Sequence, residues 1–141
     1  MTDNYDLVND SILFLLKPKV TICYLDEDYT LRQALEKMRY YGYTALPVVT
    51  KEGKYAGTVT EGDFLWHMLN NREYDIYSRE EHHLKEIIRP DFSPPVEVAT
   101  HIEDLVDQIM GQNFVPVVDD YDVFMGIITR QDVIRYLRYR H

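Results

Sequence analysis

The chain has 141 residues, 45% of them hydrophobic and 28% charged, which is the balance of a folded globular protein rather than a disordered one. Its formal net charge of −9 argues against a protein built to grip a phosphate backbone, because no broad basic surface is available to replace counterions. The single cysteine, Cys23, excludes an internal disulfide, and the five-residue apolar run Ile12–Leu16 is far short of the roughly 20 residues that cross a bilayer.

In chain order, residues 5–16 predict an amphipathic helix that stops before Pro18. Asp3, Asp6 and Asp10 stand where an export signal would carry positive charge, which predicts a cytoplasmic location. Val20–Leu25 predicts a strand and Thr30–Tyr41 a helix, with Leu31, Ala34, Leu35 and Met38 on one apolar stripe. Ala45–Val49 and Tyr55–Val59 predict two short strands around a Glu52-Gly53 turn. A helix follows, presenting Phe64, Leu65, Met68 and Leu69. Residues 71–92 read as a polar linker with a short helix at Glu80–Ile88. The order then recurs: strand Val96–Val98, helix Ile102–Met110, strands Val115–Val118 and Val123–Ile128, and a last helix carrying Val133, Ile134 and Leu137.

The recurrence is a repeat. Pro47 to Pro116, Gly57 to Gly126, Thr60 to Thr129 and Asp63 to Asp132 all differ by 69 positions. The helical stripe of Leu31, Ala34, Leu35 and Met38 returns 71 positions later as Ile102, Leu105, Val106 and Ile109. Such a two-residue difference belongs in a loop. The expected division is residues 1–16 as a leading helix, 17–70 as repeat one, 71–92 as linker and 93–141 as repeat two. One copy of about 60 residues would bury little surface alone, a problem that two copies packed through their sheets would solve.

The repeated pattern Gly-h-h-Thr-x-x-Asp, with h apolar or small, places Thr60 and Thr129 at strand-to-helix junctions. The simplest role for each threonine is an N-cap, and for Asp63 and Asp132 an acid near the positive helix end. The same geometry suits a nucleotide. Free N–H groups and the threonine hydroxyl fit a phosphate, and a carboxylate fits the two hydroxyls of a ribose.

These motifs resemble the paired CBS-domain module named after cystathionine β-synthase, over roughly residues 17–140. The resemblance implies an α/β (α+β) fold of two strand-helix-strand-strand-helix repeats related by pseudo-twofold symmetry. It implies adenosyl-ligand clefts between the repeats. It assigns Asp63 and Asp132 to ribose, and Thr60 and Thr129 to phosphate. The backbone at Tyr43, Thr44 and Ala45, and at Asn113, Phe114 and Val115, would read the adenine edge. Val20, Thr21 and Ile22, with Pro94 through Val96, would wall the base. The implied protein is a non-catalytic sensor of AMP, ADP or ATP that regulates a partner protein, with cyclic di-AMP as an alternative ligand. A homodimer is implied, with no required cofactor, no nucleic acid and no membrane. A protein-interaction dimer with vestigial sites is the rival reading.

Two neighbours distinguish the sites. Glu61 beside Thr60 would repel phosphate, whereas Arg130 beside Thr129 would attract it, so the second site is expected to favour phosphates. Gly62 loosens the first helical turn or admits a ligand closely. Arg135, Arg138 and Arg140 suit a helix C-terminus, or reach a ligand's phosphates. The twelve tyrosines, including Tyr40, Tyr41, Tyr43, Tyr74, Tyr77, Tyr136 and Tyr139, suit packing and an association surface. His82-His83 reads as a solvated helix face rather than a metal site, and Cys23 as an inert thiol. Asp119, Asp120 and Asp122 lack calcium-loop spacing. No hydrolase constellation is present, so catalysis is not expected.

Overall fold

The computed structural model describes residues 11–71, 82–89 and 91–140. Residues 5–10 of the expected leading helix and Glu80 and Glu81 of the linker helix lie outside them, as do Tyr74 and Tyr77. The chain divides into two compact units: Cys23–Phe92, and the described residues of Met1–Ile22 and Ser93–His141.

The Cys23–Phe92 unit contains a three-stranded sheet in the order β2 (Leu25–Asp26), β3 (Ala45–Val49), β4 (Tyr55–Thr60). The β2 strand runs parallel to β3, and β3 pairs antiparallel with β4. Helix α1 (Leu31–Tyr41) lies between β2 and β3 in the chain. It starts on a capping box, with Thr30 Oγ1 accepting from the Gln33 N–H and Gln33 accepting from the Thr30 N–H. It ends where Gly42 turns left-handed at φ 74°. Leu31, Ala34 and Met38 face a core completed by Leu25, Leu46, Val48, Val59, Phe64, Leu84 and Ile87. Helix α2 (Glu61–Asn71) follows β4 directly.

The other unit repeats this plan. Strands β5 (Val96–Glu97), β6 (Phe114–Val118) and β7 (Phe124–Thr129) flank helix α3 (Ile102–Ile109), and helix α4 (Arg130–Arg140) follows β7. Here a fourth strand joins: β1 (Lys17–Pro18) pairs antiparallel with β7, Lys17 opposite Ile127 and Pro18 opposite Gly126. Residues 17–22, expected to begin repeat one, therefore pack with repeat two. Ile12 and Leu15 belong to the same core, with Leu105, Val115 and Ile128.

Four local expectations change. The described part of the leading helix is one 3-10 turn, Ile12–Leu15, capped by Ser11 and followed by extended Leu16. The described part of the linker helix is one 3-10 turn at Leu84–Glu86. The strand expected over Val20–Leu25 is reduced to Leu25–Asp26, because Lys19–Thr21 forms a 3-10 turn. Thr21 closes that turn by donating its hydroxyl to the Pro18 carbonyl at 2.7 Å. A β-branched run thus loses to a local side-chain bond, and Val20 is left 91% exposed. The strand expected over Val96–Val98 ends at Glu97.

The motif glycines have a structural reason. Gly57 and Gly126 have φ of 150° and 151°, a conformation side chains rarely adopt. A methyl group on Gly57 would strike the Ile88 side chain, and one on Gly126 would strike the Lys17 carbonyl. Each glycine is the place where the segment leading into the other repeat crosses a strand.

Candidate functional site

Both Thr-x-x-Asp pairs stand where a strand turns into a helix, and each aspartate occupies the third helical position. Their bonds differ. Asp63 Oδ2 accepts from the Thr60 N–H at 2.8 Å and from the Thr60 hydroxyl at 3.2 Å. Thr129 Oγ1 instead accepts from the Asp132 N–H at 3.1 Å. Thr129 is an N-cap in the ordinary sense, whereas at Thr60 only the reciprocal half of a capping box is made, from the Thr60 N–H to Asp63. Both aspartates leave carboxylate acceptor capacity beyond these bonds.

In the Cys23–Phe92 unit these residues open onto a cavity of about 400 Å³, a size suited to a small ligand. Thr60, Gly62, Asp63, Trp66, His67, Asn70, Glu86, Ile87 and Arg89 line it. Nothing in the backbone requires Gly62: a methyl group there would sit 3.6 Å from Thr60 Oγ1, an ordinary contact. Glu86 is held by the His83 backbone N–H and by His82 Nδ1 at 3.0 Å. Those bonds, the backbone one first, hold its carboxyl below the ordinary value. His82 also meets the His67 ring edge-on at 5.0 Å. It is half-buried, so the expected solvated face holds for His83 only. Among the described residues no His, Cys, Asp and Glu group is arranged to hold a metal ion.

Arg89 was not a sequence candidate. Its Nε lies 2.7 Å from Asp63 Oδ1, and its guanidinium stacks over the Phe92 ring at 3.8 Å from the centroid. In the other unit Lys17 Nζ is 3.5 Å from Asp132 Oδ2, and Arg135 is 3.3 Å from Asp132 Oδ1. A signal for both cations was available. Leu15-Leu16-Lys17-Pro18 and Ile87-Ile88-Arg89-Pro90 repeat at an offset of 72. In each, the first residue enters a core and the second lies against or near a motif glycine. Three conservative matches beside a proline are easily passed over in a polar linker.

The proposed adenine-reading positions are backbone groups already partly used. The Thr44 carbonyl accepts from the Glu61 N–H at 3.0 Å, and the Asn113 carbonyl from the Arg130 N–H at 2.8 Å. Tyr43 donates its N–H to the Met38 carbonyl at 3.0 Å. Ala45 and Phe114 stand opposite Thr60 and Thr129 in the ladders, so the expected base and phosphate positions share one sheet end in each unit. The Val115 side chain is buried in the core. Arg130 holds Asn113 Oδ1 at 3.0 Å and remains exposed. Arg138 lies over the Tyr139 ring at 5.8 Å, while the Arg140 side chain lies outside the described residues.

The wall residues divide. Val20 and Thr21 are exposed within the 3-10 turn, and Ile22, which follows it, is half-buried. Val96 is buried against β6, and the exposed Pro94 offers its carbonyl to Gln108 Nε2 at 2.6 Å. Cys23 is half-buried at the edge of its core. Burial pushes its thiol pKa up, against the opposing charge of Lys37. No helix among the described residues is long and apolar enough to cross a membrane.

Comparison with solved structures finds the same fold repeatedly. CbpB in complex with c-di-AMP matches with a TM-score of 0.87 at 20% identity, covering 97% of this chain and 89% of that one. CbpB of Listeria monocytogenes in complex with c-di-AMP matches at 0.81 and 24% identity, over 92% and 97%. CBSX2 in complex with AMP matches at 0.74 and 22% identity, over 94% and 99%. No curated protein matches the chain. The family model of the CBS domain matches residues 16–70 and again 84–139, and the chain therefore belongs to the CBS domain family.

Proposed function

We propose that the chain is a non-catalytic sensor of an adenine nucleotide that passes its occupancy to a partner protein. The observation that carries this reading is the duplicated strand-to-helix junction with its threonine and aspartate, opening in one unit onto a cavity of nucleotide-fitting size. The helix end contributes N–H groups and a field for phosphate, and Thr60 or Thr129 adds a hydroxyl. Asp63 or Asp132 takes the ribose hydroxyls. The backbone from Tyr43 to Ala45, and from Asn113 to Val115, faces the base. AMP, ADP and ATP are the first ligands of this reading.

Cyclic di-AMP is the second reading, favoured by the two similar structures that hold it. Both ligands present an adenine, a ribose and a phosphate, so the same residues serve either. The protein works in the cytoplasm as a homodimer. Exposed Leu65, Trp66 and Leu69 on α2, and exposed Ile134 and Tyr139 on α4, supply apolar surface for association. Sensing requires the ligand to bind one arrangement of the module more tightly than another.

A thermal-shift panel of AMP, ADP, ATP and cyclic di-AMP tests the reading. A ligand at 100 times its Kd stabilises by about 2.7 kcal/mol, or roughly 8 °C in a chain of this size. A protein that remains dimeric but shifts with none of the four is an interaction module with vestigial sites.

A further inference from the structure

In both units the aspartate assigned to ribose already carries a cation from the segment that leads into a repeat. Arg89 holds Asp63, and Lys17 holds Asp132. The two cations arrive by one device. Each directly follows an apolar residue, Ile88 or Leu16, packed at the motif glycine, Gly57 or Gly126. A duplicated placement of this kind is not the chance meeting of two surface charges.

Asp63 shows what the pairing does. Its side chain is only 7% exposed, while that of Arg89 is 50% exposed. Oδ2 is engaged by the N–H and hydroxyl of Thr60. Oδ1 faces Arg89 Nε. A ribose diol must therefore compete with the guanidinium for Oδ1. A nucleoside that displaced Arg89 would remove a charge-assisted hydrogen bond and give the cation nothing in return. A nucleotide brings its own anion, and Arg89 already forms part of the cavity wall with Thr60 and Gly62. Arg89 can then exchange the carboxylate for the phosphate without leaving the cavity.

We propose that Arg89 and Lys17 are phosphate-reading latches: each covers the ribose carboxylate of its unit and releases it when a ligand's phosphate takes the cation. The inference rests on the nucleotide-sensing reading above and adds how that site rejects unphosphorylated nucleosides.

The test is calorimetric titration of the full chain with adenosine, AMP and cyclic di-AMP. Wild type is compared with the double variant Arg89→Gln/Lys17→Gln and with the charge-preserving Arg89→Lys/Lys17→Arg. In wild type, the phosphorylated ligand that binds should exceed adenosine in affinity by at least about tenfold. In the double glutamine variant that ratio should fall at least about tenfold, with adenosine affinity unchanged or improved. The charge-preserving variant should keep most of the ratio. A smaller fall, or a wild type that binds adenosine equally well, overturns the latch and leaves the nucleotide reading standing. A wild type that binds neither phosphorylated ligand overturns both. If the glutamine variant fails to fold, salt decides on wild type alone. From roughly 50 to 300 mM NaCl the phosphorylated ligand should weaken several-fold and adenosine should not; equal salt responses overturn the latch.

Discussion

Substituting alanine at two glycines should move stability in opposite directions. At Gly126 the chain has φ 151°, and an added methyl group would collide with the Lys17 carbonyl, which is backbone and cannot rotate away. The strained conformation alone costs on the order of 1–3 kcal/mol for a residue with a side chain. Relieving the collision pushes β1 off β7 and endangers the pairing of Lys17 with Ile127 and of Pro18 with Gly126. Each backbone hydrogen bond lost there costs about 1 kcal/mol. Gly126→Ala should therefore lose about 3–4 kcal/mol, a large part of the roughly 5–15 kcal/mol that stabilises a domain. Gly62 meets only Thr60 Oγ1 at 3.6 Å, with no left-handed backbone to strain. Gly62→Ala should gain about 0.5 kcal/mol through helix propensity. Urea denaturation of both variants beside wild type reads the difference. A Gly126→Ala loss below about 1 kcal/mol would refute the account of why the motif begins with glycine.

Ile12→Ala should cost about 3 kcal/mol in the same assay, because Ile12 is wholly buried in the core of the 93–140 residues, whereas exposed Leu13→Ala should stay within about 0.5 kcal/mol. Asp132→Ala should weaken nucleotide binding more than Asp63→Ala, since Arg130 stands beside Thr129 and Glu61 beside Thr60; calorimetry showing equal or reversed losses refutes that ranking. Glu86 is held below its ordinary value of 4.5, so its contribution to stability is complete above that pH and is lost as the pH falls through its folded value. Glu86→Gln should therefore lower the urea midpoint at neutral pH and leave it nearly unchanged in acid below the folded value. Cys23, with its thiol pushed up by burial, should alkylate more slowly at neutral pH than a free thiol, as mass spectrometry over time would show.

The parts of this molecule that are periodic or adjacent in the chain were readable in its sequence. The helix stripes, the Thr30 start, the Pro-containing strands and the 69-residue offset all rest on neighbours within a few positions. The resemblance built on them led to the family. What escaped depended on distant partners. Gly57 needs Ile88, 31 positions away, and Gly126 needs Lys17, 109 positions away, so neither contact leaves a local trace. Arg89 was hidden for the same reason. It sits in a polar stretch before Pro90, and its meaning appears only when Asp63 is brought to it. Val20–Ile22 failed differently: β-branched composition favoured a strand, and one bond from Thr21 to Pro18 closed a turn instead.

Residues 11–22 are made early, yet their partners lie beyond residue 92. Cys23–Phe92 is continuous and has every strand it needs once residue 92 has emerged. Ile12 and Leu15 have no core to enter until β6 and β7 have been synthesised. Lys17 pairs with Ile127 across 110 positions, a separation that makes closure of this unit slow. This topology predicts that Cys23–Phe92 forms first, and one cut in the linker leaves residues 11–22 on the wrong side of it. A circular permutant opened before Cys23, with residue 141 joined to residue 1, would make both units continuous. It should refold faster than the natural order while keeping the same two cores.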